Sequence, residues 1–156
     1  MCALVIRRAT LHDAPELCRT HKETVRAKAR THYSDGLIEA WIGDREPHHY
    51  RRAMEDSGEC IWVAQDHGTI VGFASLRGNE LNALYASPAA PGGTGTALLH
   101  VVVAEARSLG LRDLVATASL NAAKFYRRRG FFETGPAELV RSGVAIPAIR
   151  MRKSIG

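Results

Sequence analysis

Cysteine is scarce in this chain, with Cys2, Cys18 and Cys60 as the three cysteines among 156 residues. Their odd number and wide spacing argue against a disulfide framework and against a C-x-x-C metal pair, so we interpret them as reduced residues that mostly pack. The seven histidines show no H-E-x-x-H spacing, and His48 and His49 are adjacent. Adjacent residues point in different directions on a helix, so we expect no metal site.

Long apolar runs are also missing, although 46% of the residues are hydrophobic. A membrane span needs roughly 18 consecutive apolar residues. The opening MCALVIRRAT has an apolar stretch too short for a signal peptide and no small-residue cleavage site after it. We therefore expect a cytoplasmic protein without a membrane partner, and its length predicts a single domain over 1–156.

Acidic residues are depleted in the second part of the chain. Residues 1–60 carry ten Lys or Arg and ten Asp or Glu, whereas residues 61–156 carry eleven and six. A basic surface there suits a polyanionic small ligand or a nucleic acid. The arginines are not interleaved with aromatic residues, which argues against nucleic acid as a partner. A nucleic-acid-binding domain is our third hypothesis, and it predicts strongly salt-dependent binding.

Hydrophobic periodicity predicts alternating helices and strands. Thr10 and Asp13 form a capping-box pattern before a helix that reaches about residue 30, and Ser34 precedes a second helix. A third helix begins at Pro47, a fourth at Thr96, and the segment NAAKFYRRR predicts a short fifth, with Asn121 as its N-cap. Extended runs are predicted at 4–8, 60–64, 69–76, 80–86, 111–119, 131–140 and 143–153. The order indicates a mixed α/β architecture.

The stretch PAAPGGTGTALL places a glycine loop before a helix, which is a common arrangement for binding phosphate. A Walker-type loop needs a lysine after the last glycine, but Thr96 and Ala97 follow Gly95. The dinucleotide fingerprint G-x-G-x-x-G fits Gly93 and Gly95 and then meets Leu98 where the third glycine belongs. A flexible turn that enters a helix is the structural alternative.

The loop and its neighbours together closely resemble the GNAT superfamily of acyl-CoA-dependent N-acyltransferases, over about residues 4–153. The family's loop pattern Q/R-x-x-G-x-G/A falls on Ala90, Gly93 and Gly95, with Ala90 departing from the expected Gln or Arg. The family's second pattern, N-x-x-A-x-x-F-Y-x-x-x-G-F, falls on Asn121, Phe125, Tyr126, Gly130 and Phe131, with its alanine offset to Ala122 and Ala123. Two patterns at the right separation are more specific than either alone.

The resemblance implies a GNAT fold, with a central, mostly antiparallel sheet of six to seven strands flanked by helices, and acetyl-CoA as acyl donor without a metal. It implies that the loop binds the pyrophosphate, that backbone groups in the preceding strand bind the pantetheine arm, and that Asn121 approaches the donor. Arg128 matches a basic position that faces the 3′-phosphate, with a solvated charged face as its alternative. The implied donor-binding residues are Leu84, Tyr85, Ala86, Ala90, Pro91, Gly92, Gly93, Thr94, Gly95, Thr96, Asn121 and Arg128.

Two side chains match the family's catalytic positions. A lysine-like amine has a pKa of about 10.4, so it needs help to lose a proton before it attacks a thioester. Glu80 matches the carboxylate that assists, and strand alternation predicts that it shares a face with Asn82 and Leu84. Tyr126 matches the acid that protonates the leaving thiolate. The alternatives are a solvated turn residue for Glu80 and a core aromatic for Tyr126.

His32, Tyr33 and Trp41 lie in the region that covers the acceptor side in this family. Together they resemble the pattern of a YafP-like bacterial subgroup. Trp41 also shares a helical stripe with Leu37 and Ile38, which is typical of core. Our leading hypothesis is an N-acetyltransferase that moves acetyl from acetyl-CoA to a primary amine of a small molecule or peptide by direct transfer in a ternary complex. The alternative is a non-catalytic acyl-CoA-binding regulatory module. The two C-terminal strands could form a homodimer.

Overall fold

A computed structural model describes residues 4–156, so Cys2 lies outside the described residues. The strands are β1 (Leu4–Arg8), β2 (Cys60–Asp66), β3 (Thr69–Arg77), β4 (Glu80–Ala86), β5 (Asp113–Ser119), β6 (Phe132–Arg141) and β7 (Val144–Ser154). The helices are α1 (Ala14–Lys28), α2 (Asp35–Ile42), α3 (Pro47–Glu55), α4 (Thr94–Ser108) and α5 (Ala123–Arg128). Short 3₁₀ turns at Leu11–Asp13 and Ala29–Thr31 flank α1.

Local capping signals place the first helices where the sequence predicts them. The Thr10 amide donates to Asp13 Oδ2 at 2.8 Å, which closes the predicted capping box before α1. The Ser34 hydroxyl accepts from the Leu37 amide at 3.2 Å and caps α2. Pro47 occupies the first turn of α3, where its missing N–H costs nothing.

The strands form one seven-stranded sheet in the order β1-β2-β3-β4-β5-β7-β6. Each neighbouring pair is antiparallel except β4 and β5, which are parallel and pair only at Glu80 and Val115. The predicted mixed α/β class, with a mostly antiparallel sheet of six to seven strands and flanking helices, is therefore confirmed.

A β-bulge in β4 corrects the predicted alternation of that strand. Ser75 pairs with Ala83, but the next residue of β3, Leu76, pairs with Leu81, which leaves Asn82 as an extra residue on β4. A bulge shifts the faces of the residues beyond it. Leu84 therefore packs in the same cluster as Leu81, and our prediction that Glu80, Asn82 and Leu84 share one face is wrong.

Hydrophobic clusters lie on both faces of the sheet. On one face α4 packs through Leu98, Leu99 and Val102, which are at most 2% exposed. On the other face α1 and α3 pack through residues that include Leu17 and Tyr50. Helices therefore cover both faces of β3 and β4, and the ends of these strands are held between two cores.

The two described cysteines, Cys18 and Cys60, are both free thiols. No cluster of three His, Cys, Asp or Glu side chains that could hold a metal occurs among residues 4–156. Over the same residues, none of the helices has the length and apolar character required to cross a bilayer.

Gly72 marks a close approach between β3 and β4 that the fold requires. A Cβ atom there would lie 2.7 Å from the Tyr85 carbonyl oxygen and 3.3 Å from Leu98 Cδ1. Because a backbone carbonyl in a paired strand moves little, we expect Gly72→Ala to lower the free energy of unfolding by about 1–3 kcal/mol, measured by chemical denaturation.

Gly36→Ala is the matched control for this substitution. Its Cβ would have Ser34 Oγ at 3.9 Å as the nearest atom, and Gly36 lies inside α2. Alanine has the better helix propensity, so this variant should be equally stable or up to about 1 kcal/mol more stable. Equal stability of the two variants would contradict the close approach at Gly72.

Candidate functional site

A cleft of about 600 Å³ opens where β4 and β5 separate. The two strands pair at Glu80 and Val115, and the Val115 amide also donates to the Asn79 carbonyl at 3.0 Å. Beyond this point neither strand pairs with the other. The edge of β4 that faces β5 therefore offers unpaired backbone groups from 81 to 86, and Leu84, Tyr85 and Ala86 line the cleft.

The glycine loop lies between β4 and α4. Gly93 has φ +89° and forms the N-cap of α4, a conformation that glycine adopts without steric cost. The helix begins at Thr94 and not at the predicted Thr96, because Thr94 turns inward and its hydroxyl donates to the Pro91 carbonyl at 2.7 Å. No backbone carbonyl among residues 4–156 accepts from the amides of Gly95 and Thr96. These first-turn amides are suited to an anion.

The second sequence pattern packs directly on this loop. A Cβ on Gly95 would lie 3.1 Å from the ring of Phe125, so glycine is what allows α5 to approach the start of α4. Arg129 lies over the Phe125 ring, 3.7 Å from its centroid. Its guanidinium also donates to Thr96 Oγ1 at 2.8 Å from Nε and 2.6 Å from Nη2.

Arg129 is a site residue that our sequence analysis missed. The signal was its spacing, four residues after Phe125, at the C-cap of the same short helix. The side chain of Arg128 is exposed and has no hydrogen bond to another described residue. Ala90 packs against the core cluster beside α4 and its amide donates to the Ser87 carbonyl at 3.0 Å, so a basic side chain reaches this loop from α5 instead of from position 90.

Asn121 is not the N-cap of α5 that the sequence predicts. The N-cap of α5 is Ala122, and no side chain caps this helix. Asn121 lies one residue earlier in the wall of the cleft, where its Oδ1 atom is buried and has no hydrogen-bond partner in the described structure. A buried amide oxygen without a partner is suited to a ligand that donates a hydrogen bond.

Glu80 lies at the closed end of the cleft, where β4 and β5 still pair. Its Oε1 accepts from Arg150 Nη1 at 2.9 Å, and the same Arg150 nitrogen donates to Thr117 Oγ1 at 2.7 Å. The Glu80 side chain is 34% exposed. It is therefore a fixed, partly solvated carboxylate in a strand and not a turn residue.

Tyr126 lines the same cleft from α5. It packs edge-on against Phe125 and Phe131, with ring centroids 5.6 Å and 5.1 Å away. Burial raises the pKa of its hydroxyl well above 10, and the neighbouring Tyr85 adds to this shift. No described residue accepts a hydrogen bond from that hydroxyl. Tyr126 thus combines a core ring with a protonated hydroxyl at the cleft.

The three residues predicted for the acceptor side have different surroundings in the structure. Trp41 is 5% exposed and lines the cleft, so it belongs to both core and cleft wall. The Tyr33 hydroxyl accepts from the Leu120 amide at 2.9 Å and donates to the Pro147 carbonyl, which ties three segments together away from the cleft. His32 is exposed and contacts Thr31 Oγ1 at 2.7 Å.

His21 of α1 is a second residue that our sequence analysis did not select, because it lies on the apolar stripe of that helix. It lines the cleft and is 8% exposed. Its Nδ1 lies 2.8 Å from the Tyr50 hydroxyl, and its Nε2 is buried without a partner among the described residues. Burial, together with the smaller effect of the charges of Arg45 and Arg141, lowers the pKa of His21 to about 3.

Comparisons with known proteins agree with this geometry. The model of the acetyltransferase (GNAT) domain family matches residues 29–155. A GCN5-related N-acetyltransferase from Rhodopseudomonas palustris has 27% identity, a TM-score of 0.91 and coverage of 99% of this chain and 97% of its own. No curated protein matches the chain.

Two more distant structures share the fold. The paiA N-acetyltransferase from Thermoplasma acidophilum was solved in complex with coenzyme A and is 21% identical, with a TM-score of 0.78 over 97% of this chain and 98% of its own. The structure of yncA from Salmonella typhimurium contains acetyl-CoA and is 24% identical, with a TM-score of 0.66 over 99% of this chain and 95% of its own.

The fold and the cleft thus define an acyltransferase. The family match covers most of the chain, and the chain belongs to the GNAT family of acetyltransferases.

The low pKa of His21 predicts a pH-dependent stability. Below its ordinary pKa of 6.5 the unfolded chain binds a proton on His21, whereas the folded protein does not bind one until about pH 3. Acid therefore favours the unfolded state. We expect the free energy of unfolding to fall between about pH 6 and about pH 4 by about 1.4 kcal/mol per pH unit more than in His21→Asn, measured by urea denaturation at each pH.

Asparagine is the matched replacement, because its side-chain amide has both a donor and an acceptor for the hydrogen bond to the Tyr50 hydroxyl and does not titrate in this range. Other groups titrate in both proteins. Only the difference between the two slopes of the free energy of unfolding against pH therefore reports on His21. Equal slopes would show that His21 binds its proton at an ordinary pH in the folded protein.

Proposed function

We propose that this enzyme transfers the acetyl group of acetyl-CoA to a primary amine by direct attack within a ternary complex. The observation that carries this proposal is one continuous cleft, in which Gly95 of the glycine loop, the unpaired edge of β4, Glu80 and Tyr126 meet. Two structures of the same fold bind coenzyme A or acetyl-CoA, which supports acetyl-CoA as the donor.

The loop residues fit a coenzyme A pyrophosphate. Gly92 and Gly93 have no atom within 4 Å of an added Cβ, which leaves their backbone open to a ligand. Together with the amides of Gly95 and Thr96 they form a donor set at the positive end of α4. The proposed donor-binding set keeps Ala90, Pro91 and Thr94 as loop backbone and adds Arg129.

The β4 edge and Asn121 would hold the remainder of acetyl-CoA. Unpaired backbone groups within 84–86 match the amide groups of a pantetheine arm, as an additional strand would. The same backbone donors can stabilise negative charge on the thioester carbonyl oxygen. Asn121 Oδ1 offers an acceptor without a competing partner.

Glu80 is the proposed base. Acetyl-CoA supplies the acetyl group as a thioester, and the acceptor must first lose a proton. The Glu80 carboxylate accepts that proton directly or through one water. Its bond to Arg150 holds Oε1, and no hydrogen bond from residues 4–156 occupies Oε2.

Tyr126 is the proposed acid. As the nitrogen–carbon bond forms and the carbon–sulfur bond breaks, the hydroxyl of Tyr126 donates its proton to the departing sulfur. The nitrogen then loses its second proton, and a proton returns to the Tyr126 oxygen. Burial raises its pKa and keeps the hydroxyl protonated near neutral pH. The products are an N-acetylated amine and the free thiol of coenzyme A.

We expect Tyr126→Phe to lower kcat by about 10²-fold with acetyl-CoA affinity within twofold of the wild type. The phenyl ring keeps the packing against Phe125 and Phe131, so only the proton donor is lost. Thiol release over a panel of amines gives kcat, and calorimetry gives the affinity.

Tyr85→Phe is the comparison variant, since it removes another hydroxyl from the same cleft and leaves the β4 backbone intact. Its loss of turnover should be much smaller. Unchanged turnover in Tyr126→Phe would remove Tyr126 from the mechanism. Binding of acetyl-CoA without thiol release for any amine would favour the non-catalytic binding module.

Arg128 and Arg129 are neighbours with separable proposed roles. Arg129 lies against Thr96 of the loop, whereas Arg128 is exposed, as a contact to the 3′-phosphate requires. We expect Arg129→Met to weaken the binding of coenzyme A and of dephospho-coenzyme A alike, by about tenfold, because a charge-assisted contact is worth about 1.5–3 kcal/mol.

Arg128→Met should instead weaken the binding of coenzyme A alone, so that this variant no longer prefers coenzyme A to dephospho-coenzyme A, which lacks the 3′-phosphate. Calorimetric titration of both ligands into both variants gives the four affinities relative to the wild type. If Arg128→Met changes the affinities for the two ligands equally, Arg128 belongs to a solvated surface.

We further propose an acceptor class, a subgroup, a location and an oligomeric state. Small-molecule and peptide amines both fit an acceptor side built from α1, α3 and the β6–β7 hairpin, and the YafP-like subgroup and cytoplasmic location are proposed on the sequence features alone. Homodimer formation through the C-terminal strands is supported by Phe132 and Val140, which are 55% and 64% exposed on the outermost strand β6.

A further inference from the structure

We propose that the acceptor amine carries a carboxylate, which Arg45 and Arg141 bind at the acceptor side of the cleft. This inference rests on the proposed acetyl transfer and names the substrate class of the same site. An amino acid or a related small amino carboxylate has both groups. A polyamine or a lysine in a basic peptide has the wrong charge.

The carboxylates that line the cleft have hydrogen-bond partners, whereas two of its arginines have no ion pair. Its carboxylates are Glu59 and Glu80. Glu59 Oε1 accepts from Asn82 Nδ2 at 2.9 Å, and Glu80 pairs with Arg150. Arg45 and Arg141 also line the cleft, and neither forms an ion pair with any residue from 4 to 156.

One contact between separate parts of the chain lies next to both arginines. The Ser142 hydroxyl donates to Asp44 Oδ2 at 2.8 Å, which joins the tip of the β6–β7 hairpin to the loop between α2 and α3. Arg141 precedes Ser142, and Arg45 follows Asp44. The two arginines therefore flank the same bridge, and both line the cleft.

Arg45 is held in place and partly removed from water. Its guanidinium lies over the Tyr50 ring, 4.8 Å from the centroid, and its Nε points to the Tyr50 hydroxyl at 3.5 Å. Its backbone amide donates to the Ile42 carbonyl at 3.2 Å. A partly buried cation without a counter-ion is unfavourable by itself and favourable for an incoming anion.

His21 adds a polar atom beside Arg45. A guanidinium only donates, so the Tyr50 hydroxyl accepts from Arg45 at 3.5 Å, and it also lies 2.8 Å from His21 Nδ1. The second ring nitrogen of His21 is Nε2. That atom is buried without a partner among the described residues, on a side chain 92% buried that lines the cleft.

Arg45 and Arg141 thus offer two guanidinium groups to the cleft, and His21 Nε2 is a buried polar atom without a partner in the same wall. No ion pair with a carboxylate of residues 4–156 occupies either guanidinium. A carboxylate accepts several hydrogen bonds at once and carries the opposite charge, so it suits both guanidinium groups. Lys28, which also lines the cleft, adds to the positive potential.

The test compares acceptors that differ only in charge. Thiol release from acetyl-CoA is measured with glycine, β-alanine, 4-aminobutanoate and the protein α-amino acids, each beside its primary carboxamide, and with spermidine. At least one carboxylate should exceed its carboxamide about tenfold or more in kcat/KM, a difference that a charged hydrogen-bonded pair supplies.

Variants then locate the effect. Arg45→Met and Arg141→Met should each raise KM for the preferred carboxylate about tenfold, with kcat and acetyl-CoA affinity nearly unchanged, and should narrow the preference over the carboxamide. Arg52→Met is the matched control, since Arg52 is exposed on α3 and does not line the cleft, and it should leave the preference intact.

A binding measurement does not depend on turnover. With coenzyme A present, calorimetry should show that an N-acetyl amino acid binds the wild type more tightly than its N-acetyl carboxamide, and that both arginine variants lose this difference. Equal binding of the two, or a preference for spermidine, overturns the carboxylate subsite. Thiol release without carboxylate preference contradicts only this inference, whereas carboxylate-selective binding without thiol release contradicts only the proposed transfer.

Discussion

The separation of β4 from β5 is the constraint on which the rest of this structure depends. A single parallel pair at Glu80 and Val115 joins the two halves of the sheet, and antiparallel pairing continues on either side. Because the strands diverge after that pair, the sheet contains a cleft whose wall is an unpaired strand edge. Unpaired backbone groups are unfavourable in a folded core unless a ligand or water pairs with them. The fold thus places binding capacity at the centre of the sheet.

A second constraint couples the phosphate loop to the proposed acid. Gly95 lets the ring of Phe125 approach the start of α4, and Tyr126 follows Phe125 on the same helix. The parts proposed to bind the donor and to donate a proton are therefore joined by one packing contact. This contact gives a physical reason for two sequence patterns, about 30 residues apart, to occur together. It also brings Arg129 to the loop, where position 90 has only alanine.

Most secondary structure could be predicted from local signals. The caps at Thr10 and Ser34 and the proline at the start of α3 depend on neighbouring residues, and their helices begin as expected. The errors arose where local rules met long-range packing. The bulge at Asn82 changes the faces of β4 because β3 and β4 must stay paired around it. Asn121 has the composition of an N-cap, yet it lies in the cleft wall and the helix begins two residues later.

The sequence by itself determined the fold class, the glycine loop and the family-like positions of Glu80 and Tyr126, because each of these depends on short spacings. Tertiary structure alone decided the acceptor side. His21 reads as one more residue on an apolar helix stripe, and nothing near Arg45 in the chain points to Arg141, which is 96 positions away. Contacts between distant segments leave no local pattern, so their charges and unpartnered atoms become visible only after the chain has folded.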